Sequence, residues 1–160
     1  MADNNNEVII LMAEDDDGHA ALVKDRFESV GVTNEIIRFK NGKETWDFLS
    51  GISEPGIEDG KSYLLLLDIR MPDLDGIEIL RRVKDAPRLK GIPVIMLTTT
   101  DDPMEIGRCY ELGCNNYLVK PVAFKKFTEV IKRLGLFLMI VKVGKIQPAQ
   151  EPVRHKQFRL

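Results

Sequence analysis

Four consecutive leucines, Leu64 to Leu67, follow Tyr63 and end at Asp68. An apolar run this short, with no polar alternation, suits a central strand of a parallel sheet covered by helices on both faces. Such sheets bind ligands in the crevice beyond the carboxyl ends of their strands, so Asp68 stands at the mouth of a prospective site. Met71-Pro72-Asp73-Leu74-Asp75-Gly76, just downstream, is turn chemistry leading into a helix. A lone Asp after a strand also fits a plain turn cap. The rest of the chain decides between the two.

Val8 to Ala13 is a second β-forming run, and it ends in Glu14, Asp15, Asp16 and Asp17. A helix follows with Ala21, Leu22, Phe27 and Val30 as its apolar positions and Gly31 as its stop. Glu35 to Phe39 reads as a strand, and Gly42 to Leu49 as a helix carrying Trp46 and Phe48 or Leu49 inward. Gly51 to Ser62, with its glycines, proline and charges, reads as a solvent loop. Asp75 caps a helix that buries Ile77, Leu80 and Val83 and stops at Pro87. Pro93 to Thr98 is a strand, Pro103 to Leu112 a helix, and Asn116 to Val119 a strand ending at Lys120-Pro121. A last helix begins near Ala123. This alternation predicts an α/β fold, a parallel sheet wrapped on both faces.

At 160 residues the chain is long enough for one proper core. A formal net charge of -2 gives no reason to expect nucleic acid as a partner. No apolar stretch approaches the roughly 20 residues needed to span a bilayer, so no membrane partner is expected. The first residues lack the basic start and apolar run of a signal peptide. The expectation is a cytoplasmic protein. Cys109 and Cys114 show no metal-type pairing with His19 or His155 and read as reduced packing residues. Asp16 and Asp17 read as helix capping and first-turn charge, His19 as a surface residue, and Trp46 as part of a core or helix face.

Parallel strands bring their carboxyl ends to one edge, where Glu14, Asp15, Asp68, Thr98 and Lys120 then meet. Carboxylates crowded together repel, and a cation resolves the conflict. Oxygen ligands without Cys or His favour a hard ion such as Mg²⁺. A carboxylate can also act as a nucleophile that forms an aspartyl phosphate. The transferring group then needs its oxygens held by metal, an ammonium and a hydroxyl. Lys120 and Thr98 would supply the last two.

The pattern Glu14-Asp15 … Asp68-x-x-Met71-Pro72-x-x-Asp75-Gly76 … Thr98 … Lys120-Pro121 resembles a response regulator receiver domain, over about residues 7 to 134. The resemblance implies a flavodoxin-like, doubly wound five-stranded sheet of order 2-1-3-4-5. It implies a phosphoacceptor signalling protein rather than an enzyme, with Asp68 phosphorylated from a histidine kinase. Glu14, Asp15, Asp68 and the backbone carbonyl of Arg70 would hold Mg²⁺, and Lys120 would pair with the phosphoryl group. Thr98 and Tyr117 match the family's switch pair. The long loop and the apolar C-terminal run resemble stand-alone regulators that partner bacterial phytochromes.

Residues 1–134 are therefore expected to form the receiver, and 135–160 an extension of the last helix with a flexible, basic tail. Phe124, Phe127, Ile131 and Leu134 form one buried stripe, but Leu136 to Val141 are apolar on every side. That run, continued as helix or as strand to Val143, predicts a homodimer through the last helix and its extension. Competing readings fit less well. A haloacid-dehalogenase-type phosphatase wants an Asp where Arg70 stands, and a flavodoxin needs a neutral first loop where Glu14 to Asp17 stand. A pseudo-receiver, a binding module without phosphotransfer, is the alternative.

Overall fold

The computed structural model describes residues 7–120, 125–126, 128–130, 133 and 145–148. Its elements run β1 (Ile9–Ala13), α1 (Asp17–Ser29), β2 (Ile36–Phe39), α2 (Gly42–Ser50), β3 (Tyr63–Leu67), α3 (Gly76–Asp85), β4 (Val94–Thr98), α4 (Pro103–Glu111) and β5 (Asn116–Val119). The strands are parallel and ordered β2-β1-β3-β4-β5. The leucine strand lies at the centre, between β1 and β4, as its composition predicts. All five of its residues are buried.

Alternation along β3 divides the core in two. Tyr63, Leu65 and Leu67 pack with Phe48 and Leu49 of α2, Ile79, Leu80 and Val83 of α3, and Cys109 of α4. Leu64 and Leu66 pack with Ala20, Val23 and Phe27 of α1 on the opposite face, where Val130 also lies. Trimming one of these leucines to Ala would cost on the order of 2–5 kcal/mol, since the cavity collapses only partly. The expected helices on both faces are thus present among the described residues, α2, α3 and α4 on one face and α1 with the helical residue Val130 on the other.

Four local readings differ from the structure. Helix α1 turns Ala20, Val23 and Phe27 inward, while Ala21 and Leu22 are exposed and Val30 is a half-buried C-cap. At 100° per residue, the positions above Phe27 on its own face are four and seven earlier. Ala21 and Leu22 fall to the other side. Ile77 is only half-buried, and Ile79 takes the inward place beside Leu80 and Val83. The segment 51–62 is partly packed: Ile57 is buried, its N–H donating to Phe48 O (3.0 Å), and the Glu58 N–H donates to the Tyr63 hydroxyl (3.0 Å). Residues 145–148, read as part of a flexible tail, dock on this same loop. Gly60 N–H donates to Ile146 O and Ile146 N–H to Lys61 O, both at 2.8 Å, and the Ile146 side chain is buried. Strand-like pairing plus an apolar anchor holds the segment there.

Residues 125–126, 128–130 and 133 are helical. The stripe residues Phe124, Phe127, Ile131 and Leu134, the run 135–143 and the tail beyond 148 lie outside the described residues. Among the described residues no helix is long and apolar enough to cross a membrane. Cys109 and Cys114 are free and buried.

Candidate functional site

Register places the functional side chains. Ala13 pairs with Leu67 and Thr98 with Val119. One step further along each strand, Glu14 comes beside Asp68 and Lys120 lies just past the partner of Thr98. Glu14, Asp68, Thr98 and Lys120 are all buried. Asp15 is exposed at the rim and lines a groove with Ile69, Arg70, Met71 and Pro72.

The turn after Asp68 is built for close approach. A Cβ on Gly76 would stand 2.0 Å from the Asp68 carbonyl oxygen, so only glycine fits there. The Gly76 N–H donates to Ile69 O at 2.7 Å, and Asp75 caps α3 by accepting from the Glu78 N–H at 2.9 Å. Asp73 takes a left-handed backbone, φ 72°, which Asp tolerates better than branched residues. The Arg70 N–H donates to Asp68 Oδ1 at 3.3 Å.

Lys120 ties the buried carboxylates together. Its Nζ lies 2.7 Å from Glu14 Oε2 and 3.0 Å from Asp68 Oδ2. Burial, reinforced by the neighbouring Asp68, pushes the Glu14 carboxyl above its ordinary range against the pull of Lys120. Burial acts on Asp68 in the same sense, but the hydrogen bond with Glu14, the charge and hydrogen bond of Lys120, and Thr98 outweigh it. Its carboxyl is held below the usual range. As pH falls, Glu14 therefore takes up a proton before Asp68 does. An ionised carboxylate is the form a nucleophile needs.

Among the described residues the buried Thr98 hydroxyl has no hydrogen-bond partner, although it lies close enough to Asp68 to help keep that carboxyl low. Tyr117 is half-buried, and its hydroxyl donates to Thr100 O at 2.7 Å. Burial pushes the Tyr117 phenol up to about 12. Thr98 and Tyr117 thus flank the same strand-end loop from β4 and β5.

The sequence-derived set comes together at this edge, and two further residues join it. His19, read as a surface residue, sets its Nδ1 3.1 Å from Glu14 Oε1 and 3.4 Å from Lys120 Nζ. Arg38, one residue before the end of β2, donates from Nε to Glu14 O (3.0 Å) and from Nη1 to Asp17 Oδ1 (2.7 Å). Both had a signal. His19 is the third residue of a helix that starts at the end of the acidic run, and Arg38 is the next-to-last residue of a strand on the same edge. Asp16 is the N-cap of α1, accepting from the His19 N–H at 2.8 Å, and Asp17 sits in its first turn, as read.

The donor set fits a divalent cation. Glu14, Asp15 and Asp68 each offer a carboxylate oxygen within 4.8 Å of the others. Two of the three are buried, and the Lys120 ammonium meets only those two. All the donors are hard oxygens.

Residues 10–132 match the family model of the response regulator receiver domain. The chain belongs to that family. Phosphorylation on an aspartate is the general role of this family. The chain is 37% identical over 122 residues to the probable methanogenesis regulatory protein FilR2 of Methanothrix harundinacea, covering 75% of this chain and 76% of that one. It is 31% identical over 123 residues to response regulator Rcp1 of Synechocystis sp., covering 77% and 83% of the two. Among solved structures, a receiver domain from Rhodospirillum rubrum superposes with a TM-score of 0.76 at 44% identity, covering 88% of this chain and 100% of that one. The Mn²⁺-bound form of Rcp1 gives 0.72 at 30% identity, covering 86% and 99%. The bacteriophytochrome response regulator RtBRR gives 0.70 at 35% identity, covering 81% and 78%. The receiver thus resembles the stand-alone regulators of bacterial phytochromes.

Proposed function

We propose that Asp68 of this receiver accepts the phosphoryl group from a histidine kinase, with Mg²⁺ held by Glu14, Asp15, Asp68 and the backbone carbonyl of Arg70. The observation that carries the reading is the buried edge itself: an ionised Asp68 held by Lys120 beside an orphaned Thr98 hydroxyl. An Asp68 oxygen forms the new O–P bond while the N–P bond of the donor phosphohistidine breaks, and the imidazole retains that electron pair and takes up a proton. Lys120 is placed to follow the charge from carboxylate to phosphoryl oxygen, and Thr98 to donate to another of those oxygens. Bound Mg²⁺ supplies neutralising charge to the phosphoryl oxygens. Tyr117, beside the same loop, turns with Thr98 as the switch pair. A pseudo-receiver has no use for a buried hydroxyl without a partner beside an ionised carboxylate held by an ammonium, which favours the phosphoacceptor reading.

Likeness to the bacteriophytochrome response regulator RtBRR supports a phytochrome-type photoreceptor kinase as the partner, and a cytoplasmic location belongs to the same proposal. The apolar run Leu136 to Val141 supports a homodimer, with residues 1–134 as the receiver and the dimerising run lying in the extension 135–160 ahead of residues 145–148, which pack on the receiver's own loop.

Incubation with a small phosphodonor and Mg²⁺ should add one phosphoryl mass to the protein and none to Asp68→Asn. Labelling of that variant at the wild-type rate would overturn the assignment. Sedimentation should find a dimer at micromolar concentration, and Leu138→Glu with Val141→Glu should yield a monomer that still takes phosphate. A wild-type monomer at high concentration would end the dimer proposal.

A further inference from the structure

The phosphoacceptor reading leaves His19 without a task, yet its ring sits against the most buried acid of the site. Asp16 fixes the start of α1, and the third residue of a helix reaches back toward the cap. His19 therefore presents Nδ1 to Glu14 Oε1 at 3.1 Å, with Lys120 Nζ at 3.4 Å. One ring nitrogen faces an acceptor and a donor, and it can serve only one. Accepting from Lys120 would turn its lone pair on the Glu14 carboxylate. Donating gives a charge-assisted bond to Glu14, and Lys120 already has Glu14 Oε2 at 2.7 Å and Asp68 Oδ2 at 3.0 Å. The Glu14 carboxylate is then held at both oxygens, one by His19 and one by Lys120, and its plane is fixed.

That plane matters because Glu14 is one of the three carboxylates converging within 4.8 Å. Resting on the metal-site reading above, we infer that His19 is a positioning residue for the divalent cation: it acts through Glu14, holding the carboxylate in its binding orientation without touching the ion. Direct ligation is the weaker use of the same ring. Glu14, Asp16 and His19 also converge, but Asp16 is engaged in capping α1, and the Lys120 ammonium lies 3.4 Å from the ring nitrogen that would have to ligate the ion. The helix N-terminus repels a cation as well.

Removing a hydrogen-bond partner of a ligating carboxylate costs about tenfold or more in metal affinity. Mn²⁺ titration of the full chain, read by electron paramagnetic resonance, compares His19→Leu, which keeps bulk without a donor, with His19→Asn, which keeps a donor near the Nδ1 position. The leucine variant should bind about tenfold more weakly, and the asparagine variant should recover most of that loss. The His19 side chain is 44% exposed, so the metal-free melting temperature should stay at the wild-type value in both. Equal affinities for the two variants, or wild-type affinity in the leucine variant, overturn the inference. Should the leucine variant melt early without metal, His19→Ala against His19→Asn carries the same comparison. Asp15→Asn separates the two levels. If it binds Mn²⁺ like wild type, the metal site itself is misassigned; if it loses the ion while His19→Leu does not, only the role of His19 falls.

Discussion

The ammonium of Lys120 lies 3.0 Å from Asp68 Oδ2, with both side chains more than nine-tenths buried. Breaking such a pair from one side leaves a charge inside without a partner, which costs about 3–5 kcal/mol. Glu14, already pushed up, can take a proton and relieve part of this. Lys120→Met should therefore lose roughly 3 kcal/mol at neutral pH, the low end of that range. The loss should shrink as pH falls, because the carboxylates then protonate in the folded variant before they do so unfolded. Urea unfolding at neutral and mildly acidic pH checks this; an equal loss at both would argue against a carboxylate pair held by Lys120.

Repulsion among Glu14, Asp15 and Asp68 makes stability depend on the cation. At a hundred times its dissociation constant Mg²⁺ should add about 2.7 kcal/mol. Asp15→Asn should lose that gain and, metal-free, should be at least as stable as the wild type. Thermal melts with Mg²⁺ and with chelator measure both effects.

The orphaned Thr98 hydroxyl carries a cost while the protein is unphosphorylated. Thr98→Val keeps the shape and removes the group, so it should leave stability unchanged or raise it by up to about 1 kcal/mol. The variant should still take phosphate on Asp68 but should not pass the change to α4. Amide exchange of α4 and around Tyr117, with and without phosphodonor, reads the coupling. An equal response in wild type and variant would remove Thr98 from the switch.

Alkaline pH should unfold the protein through its buried acids. Burial pushes the Cys114 thiol from 9.0 up to about 11 and the Tyr117 phenol from 10.0 up to about 12. In each case the unfolded chain releases its proton first. Stability is therefore intact below about pH 9 and falls as pH rises toward 11 and 12. Tyr117→Phe should flatten the upper part of that fall, as followed by unfolding midpoints and by phenolate absorbance. An unchanged slope would show that the phenol is not the group responsible.

The sheet and its acidic edge were legible because they rest on short-range signals. A fully apolar strand, an acid after it and a glycine at its turn need no knowledge of distant contacts. The inward face of α1 was misread because Phe27 alone fixes the phase, and Leu22, though apolar, stands about 140° away from it. The packing of Ile57 and Ile146 was hidden for another reason. Each is an isolated apolar residue among polar ones, and the loop 57–61 buries Ile146 only because residues far apart in sequence meet there. His19 was missed because its contact follows from where a helix begins.

The fit of Gly76 against the Asp68 carbonyl bears on how strain can leave this site. The loop carrying Asp68 is pinned to α3, a helix that buries Gly76, Ile79, Leu80 and Val83. The loop after Thr98 leads instead to α4, which buries Cys109 while Met104 and Tyr110 remain exposed. A push applied between Asp68 and Thr98 meets a stiff support on one side and a compliant one on the other. Opening free energies follow local packing, so α4 should yield before α3, and the displacement should travel in one direction across the sheet.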